Sequence, residues 1–274
     1  MDTDLSNLAM LAAILLAAGA AGGLAAGLLG VGGGIVTVPV LFHLFTTMGL
    51  DEHVRMHVAV GTSLATIIAT SISSTRSHWR KGSVDVGLLK QWGPFILVGV
   101  IAGTALAGTV RGPALTGVFA VVASLVALHM AFGKKDWSIA EQLPGNPLRA
   151  IIGMVIGGLS SMMGIGGGTL SVPTLTLFRV PIHRAVGTAA AIGFIIAIPG
   201  AIGFILTGWN VDGRPPFSLG YINLLGVALI LPTSMALAPI GAKLAHSLNT
   251  QALRRAFALF LGVTAARMFY SILS

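Results

Sequence analysis

The sequence predicts an all-α polytopic membrane protein built from two inverted five-segment repeats, with 8–10 membrane segments, some of them short and broken by glycine. Three observations predict it. Of 274 residues, 55% are hydrophobic and only 9% are charged, where soluble domains carry about 25% charged residues. One element is written twice, as "GVGGGIVTVP" at Gly30–Pro39 and "GIGGGTLSVP" at Gly164–Pro173, at an offset of 134. The basic residues fall between apolar stretches rather than in a continuous patch, as topology determinants do.

The first apolar stretch, 7–29, follows Asp2 and Asp4 with no lysine or arginine before it. A cleavable leader carries a positive n-region, so a retained membrane helix is expected. Gly30, Gly32, Gly33 and Gly34 then break the helical pattern, since glycine costs about 1 kcal/mol against alanine in a helix. The second stretch, 35–49, would be only about 22 Å long at 1.5 Å per residue, short of ~30 Å of hydrocarbon. The third, 56–75, opens with "HVAVGT" (His57–Thr62), and 87–110 and 113–132 complete a first repeat over residues 1–132. A polar linker, "GKKDWSIAEQLPGNPLR" at 133–149, leads to the second repeat, 150–274. There, 148–163 precedes the second break, 169–180 is again short, and 184–207 opens with "HRAVGT" (His183–Thr188). Stretches 218–246 and 250–272 close the chain. His57–Thr62 matches His183–Thr188 at an offset of 126, and Pro94 and Gly103 match Pro232 and Gly241 at 138. The offset changes only between segments, as it does when loops vary and helices are kept.

An odd number of segments per repeat inverts the second repeat in the membrane. Treating each short segment and its predecessor as a re-entrant pair keeps that parity. With the N-terminus outside, twelve basic residues fall inside: Arg76, Arg80, Lys81, Lys90, Lys134, Lys135, Arg149, Arg179, Arg184, Lys243, Arg254 and Arg255. Only Arg55, Arg111, Arg214 and Arg267 fall outside. The positive-inside bias therefore places both termini outside and the linker in the cytoplasm. The partners expected are a lipid bilayer and a small anionic substrate, with no nucleic acid, and self-association is left open.

Enzyme classes are excluded by what the apolar stretches lack. All eight acids lie at segment ends or in loops, so carboxylate proton relays and carboxylate cation sites are not expected. No pair of membrane aspartates exists, Ser63 sits in "GTSLA" rather than a protease motif, and no nucleotide-binding loop is present. Zero cysteines remove thiolate metal sites and cysteine nucleophiles, and His43 and His129 stand isolated. No cofactor or metal is expected.

What remains is a pair of helix starts inside the apolar region. The first backbone N–H groups of a helix have no internal partner, and the aligned peptide dipoles put partial positive charge there. Together they make an anion site that needs no charged side chain. The candidate contacts are the N–H groups of Gly32, Gly33, Gly34 and Ile35, and of Gly166, Gly167, Gly168 and Thr169. The hydroxyls of Thr37, Ser171, Thr62, Ser63 and Thr188 are candidate donors to substrate oxygens. His57 and His183 are candidates for proton coupling, and Arg184 for anion steering. Against these stand tight packing of small residues, threonines bonded back to their own helices, and an arginine that anchors topology.

The ordered pair of "GxGGGxxxVP" and "(H)xAVGT" elements, with Lys81–Asp85 and Pro239–Ala245 ("PIGAKLA"), resembles the sulfite exporter TauE/SafE family of bacterial permeases. That resemblance implies movement of sulfite, an organosulfonate or a related sulfur-containing anion across the cytoplasmic (inner) membrane. The expected function is a secondary transporter, an exporter, holding its anion between the repeats and exposing it to each side in turn. An anion channel and a non-transporting membrane scaffold are the alternatives.

Overall fold

The computed structural model describes residues 2–133, 138–245 and 250–273, apart from the side chains of 2–8, 250–254, 256 and 257. Lys134, Lys135 and the Arg254 side chain, used above for orientation, lie outside the described residues. The described chain is helical almost throughout: α1 (Asp2–Leu29), α2 (Gly34–Thr47), α3 (Glu52–Trp79), α4 (Val86–Thr109), α5 (Gly112–Phe132), α6 (Leu148–Met163), α7 (Gly168–Leu177), α8 (Ile182–Thr207), α9 (Leu224–Leu244) and α10 (Thr250–Leu273). Among the described residues, six helices are long and apolar enough to cross a membrane: α1 (from Ala9), α3, α4, α5, α8 and α9. The expected ninth segment begins instead with a small antiparallel hairpin, β1 (Ser218–Leu219) and β2 (Ile222–Asn223), turned at Gly220-Tyr221.

Helices pair across the two halves of the chain. α1 packs on α9, α4 on α6, α5 on α10 and α3 on α8. The α1–α9 pair is parallel, with Gly19 against Ile230, Gly23 against Ser234 and Gly27 against Ala238. On α6, Gly153 and Gly157 meet Phe95 and Ile96 of α4 in the same sense. Glycines four residues apart let backbones approach where lipid offers no hydrophobic drive between helices. α3 and α8 run antiparallel, Leu64 lying against Gly200 and Ser71 against Gly193. α3 is the most buried of the long helices. Leu97, Val98, Ile101 and Leu106 of α4 and Leu125 and Leu128 of α5 project outward, an apolar exterior suited to lipid.

The short helices do not cross. At 1.5 Å per residue, the 14 residues of α2 and the 10 of α7 reach about 21 and 15 Å. α2 doubles back beside α1, with Gly22 facing Gly33 and Thr37. Its end meets the start of α3, where Arg55 Nη1 donates to Thr46 Oγ1 at 3.0 Å. α7 likewise returns to the segment leading into α6. The Ile139 N–H donates to the Leu177 carbonyl at 2.8 Å, and Arg179 pairs with Glu141 at 3.0 Å. Each glycine break is thus the tip of a hairpin between a longer helix and a short one. Because α3 and α8 are antiparallel, the two hairpins point in opposite senses.

Candidate functional site: two buried helix starts

The tips meet at the middle of the molecule. A Cβ on Gly32 would stand 2.7 Å from the Gly166 Cα, and one on Gly166 would stand 2.7 Å from the Val31 carbonyl oxygen. Gly34, at the start of α2, lies against the Gly164 carbonyl, and Gly168, at the start of α7, against the Gly30 carbonyl. Each positive helix start therefore faces carbonyls that end the helix of the other pair, a crosswise compensation of dipoles. Left-handed backbone at Gly30, Gly32 and Gly33, with φ of 67°, 73° and 81°, turns the first tip, and glycine adopts that region without steric cost.

Where the other helices start shows what is unusual here. α3, α4 and α9 are capped by Asp51, Asp85 and Asn223, each side chain accepting a backbone N–H of the first turn. α5, α6 and α8 start without side-chain caps at Arg111, Pro147 and Pro181, all exposed. α2 and α7 also lack side-chain caps, yet Gly33, Gly34, Gly167 and Gly168 are buried. The first N–H groups of a buried, uncapped helix start need acceptors from outside the helix.

The hydroxyls proposed from sequence divide into two groups. Thr37 Oγ1 donates back to the Gly33 carbonyl at 3.2 Å, and Ser63 Oγ donates to the Gly164 carbonyl at 2.7 Å. Thr62 Oγ1 accepts the Asn223 N–H and Thr188 Oγ1 the Asp85 N–H, each at 2.9 Å. Those four are engaged by the protein's own backbone. Thr169 and Ser171, 3% and 1% exposed, have hydroxyl oxygens with no hydrogen-bond partner among the described residues. Ile35 occupies the position of Thr169 in the first pair and is buried among apolar side chains.

His57 is held rather than free. Nε2 lies 2.9 Å from the Ala107 carbonyl and Nδ1 3.0 Å from that of His53, and the ring stacks on Tyr221. His183 is exposed at the start of α8. Arg184 Nε pairs with Asp85 Oδ2 at 3.1 Å, the side chains 58% and 22% exposed, so Arg184 joins α8 to the start of α4.

Sequence reasoning missed a polar stripe on α3. Thr62, Thr66, Thr70, Ser74 and His78 recur every fourth residue and are all buried, with Ser63 and Ser71 beside them. Ser71 Oγ, 1% exposed, has no partner among the described residues, and neither has Ser160 Oγ on α6. Ser71 borders the start of α7. A Cβ built on Gly193 would lie 2.6 Å from Ser71 Oγ and 3.5 Å from the Gly167 nitrogen. The four-residue period was readable in the sequence, and it distinguishes α3 from α8, where Ile192, Ile196 and Gly200 follow Thr188. Of the buried hydroxyls unpaired among the described residues, Thr169 and Ser171 belong to the first turn of α7 and Ser71 lies beside it, whereas Thr37 of α2 is bonded back to its own helix.

The model of the sulfite exporter TauE/SafE family matches residues 15–268. A "Probable membrane transporter protein" of Haemophilus influenzae is 36% identical over 258 residues, covering 93% of this chain and 97% of that protein. The "Probable membrane transporter protein YunE" of Bacillus subtilis is 30% identical, covering 87% and 90%. One of Methanocaldococcus jannaschii is 25% identical, covering 93% and 94%. No solved structure matches the chain. With a family match over nearly its whole length and relatives at 30% identity or more, the chain belongs to the sulfite exporter TauE/SafE family of membrane transporters.

Proposed function

We propose that the protein exports a small sulfur-containing oxyanion, such as sulfite or an organosulfonate, by exposing a central site to each face in turn. The observation that carries this reading is the buried, uncapped start of α7 bordered by unpaired hydroxyls of Thr169, Ser171 and Ser71. N–H groups of a helix start and hydroxyl donors together suit an oxyanion, and the site lies at a discontinuous helix between the two halves of the chain, as in transporters of inverted repeats. The α2 start, lined by Ile35 and back-bonded Thr37, serves as the opposing wall. The sulfur comes from the family and the anion site from the geometry.

Flux into proteoliposomes, with a panel of sulfite, sulfate, thiosulfate, taurine and sulfoacetate, tests the reading. Saturable movement of one or more sulfur oxyanions is expected, together with its loss in Gly167→Leu protein that still inserts. A Cβ at Gly167 meets Ile192 Cγ2 at 2.6 Å and the Gly193 nitrogen at 2.8 Å, so leucine there forces the start of α7 away from α8 and from Ser71 beside it. Normal flux in that variant overturns the anion site, and the absence of flux for every anion overturns the substrate class.

A further inference from the structure

The "AVGT" segments do something other than touch substrate, and they do it twice. In α3, Gly61 leaves room for the Tyr221 carbonyl, which would lie 2.6 Å from a Cβ there, and Thr62 Oγ1 accepts the N–H of Asn223. In α8, Gly187 leaves room for the Ser83 carbonyl, 2.5 Å from a Cβ there, and Thr188 Oγ1 accepts the N–H of Asp85. Asn223 caps α9 and Asp85 caps α4, through Gly226 N–H at 2.8 Å and Leu88 N–H at 2.9 Å. Each segment therefore clamps the first turn of a helix from the other half of the chain. One clamp lies toward the face where α3 starts, the other toward the face where α8 starts, and the two helices are antiparallel.

We infer that these clamps are the latches of the transport cycle. Thr62–Asn223 closes the path toward one face, and Thr188–Asp85, reinforced by Arg184, closes it toward the other. Both are closed in this structure, an occluded arrangement, and opening either face requires only one to part. The two latches are built differently. Tyr221 of the hairpin stacks on His57 at 4.8 Å on one side, and on the other the Arg184–Asp85 ion pair bridges α8 and the α4 cap. The stack is apolar and salt-insensitive, whereas the half-exposed ion pair weakens with salt. The inference rests on alternating exposure of the centre and not on the identity of the anion.

The chain contains no cysteine, so a Ser171→Cys reporter is a unique thiol. Its labelling by a membrane-impermeant reagent, applied to each face of oriented vesicles, needs no substrate. Thr188→Val leaves a partly buried N–H unpaired and should raise labelling from the Asp85 face about tenfold. Thr62→Val should do the same from the opposite face. Arg184→Ala should raise it about two- to fivefold from the Asp85 face, with Arg184→Lys restoring it. Unequal labelling of the two faces that none of these variants changes overturns the latches and leaves alternating access standing. A reporter reached equally from both faces in every variant overturns both. Should Thr188→Val fail to insert, the Asp85→Cys/Thr188→Cys pair replaces it. Oxidation should then stop flux reversibly, and flux that continues in the cross-linked protein overturns the inference.

Discussion

At the scale of single residues, the structure separates buried hydroxyls bonded within the fold from buried hydroxyls with no partner among the described residues. Ser63 donates to the Gly164 carbonyl, so Ser63→Ala should destabilise the detergent-solubilised protein by about 1 kcal/mol, seen as a lower melting temperature. Ser71 is as buried but has no partner among the described residues, so Ser71→Ala removes no bond seen there and should leave the melting temperature unchanged or raised. Its flux should fall, since a hydrogen bond to a charged group is worth roughly 1.5–3 kcal/mol, about ten- to a hundredfold. The pair of measurements is needed: a Ser71→Ala protein that melts early and transports normally would make Ser71 a packing residue. Thr62 and Thr188 belong with Ser63 in stability, which is why their position in a repeated motif does not by itself mark them as substrate contacts.

At the scale of elements, the breaks are contacts before they are sites. Gly32 has φ of 73° and would place a Cβ 2.7 Å from the Gly166 Cα, where backbone cannot yield. Gly49 has φ of 72° and nothing within 4 Å. Gly49→Ala should therefore cost only the left-handed strain, about 1–2 kcal/mol, and Gly32→Ala should cost clearly more. Thermal melting of the two variants checks the difference, and equal losses would mean the tips are not pressed together. The paired breaks and the short helices were legible in the sequence, because each follows from local residue type and spacing. The partner of each tip was not, since the Gly34–Gly164 and Gly168–Gly30 contacts join positions about 130 residues apart in a repeat whose two copies read alike. The asymmetry of the site was hidden for a related reason. Ser71 lies in the second half of α3, where the copies no longer match, and a search for repeated residues passes over the ones that differ.

At the scale of the whole molecule, the buried interior constrains how transport can be driven. Among the described residues, no aspartate, glutamate, lysine or arginine is buried, and the buried ionisable side chains are His57, His78 and Tyr221. His57 is fixed between two backbone carbonyls and the Tyr221 ring, and His78 Nε2 lies 3.1 Å from the Gly27 carbonyl on α1. Both histidine rings thus lie against backbone carbonyls, whereas the polar groups at the α7 tip are hydroxyls and N–H groups. A monovalent anion bound there without a proton carries its charge across the membrane. With the cell interior negative, the potential drives it outward at roughly 2.3 kcal/mol per 100 mV, which at equilibrium is about a fiftyfold concentration ratio. Efflux should therefore follow an imposed potassium-diffusion potential while internal and external pH are clamped equal, and His57→Gln should preserve that dependence even where it lowers the rate. Flux driven by a pH gradient at zero potential, with no response to voltage, would instead require a proton to travel with the anion, and would return the histidines to the mechanism.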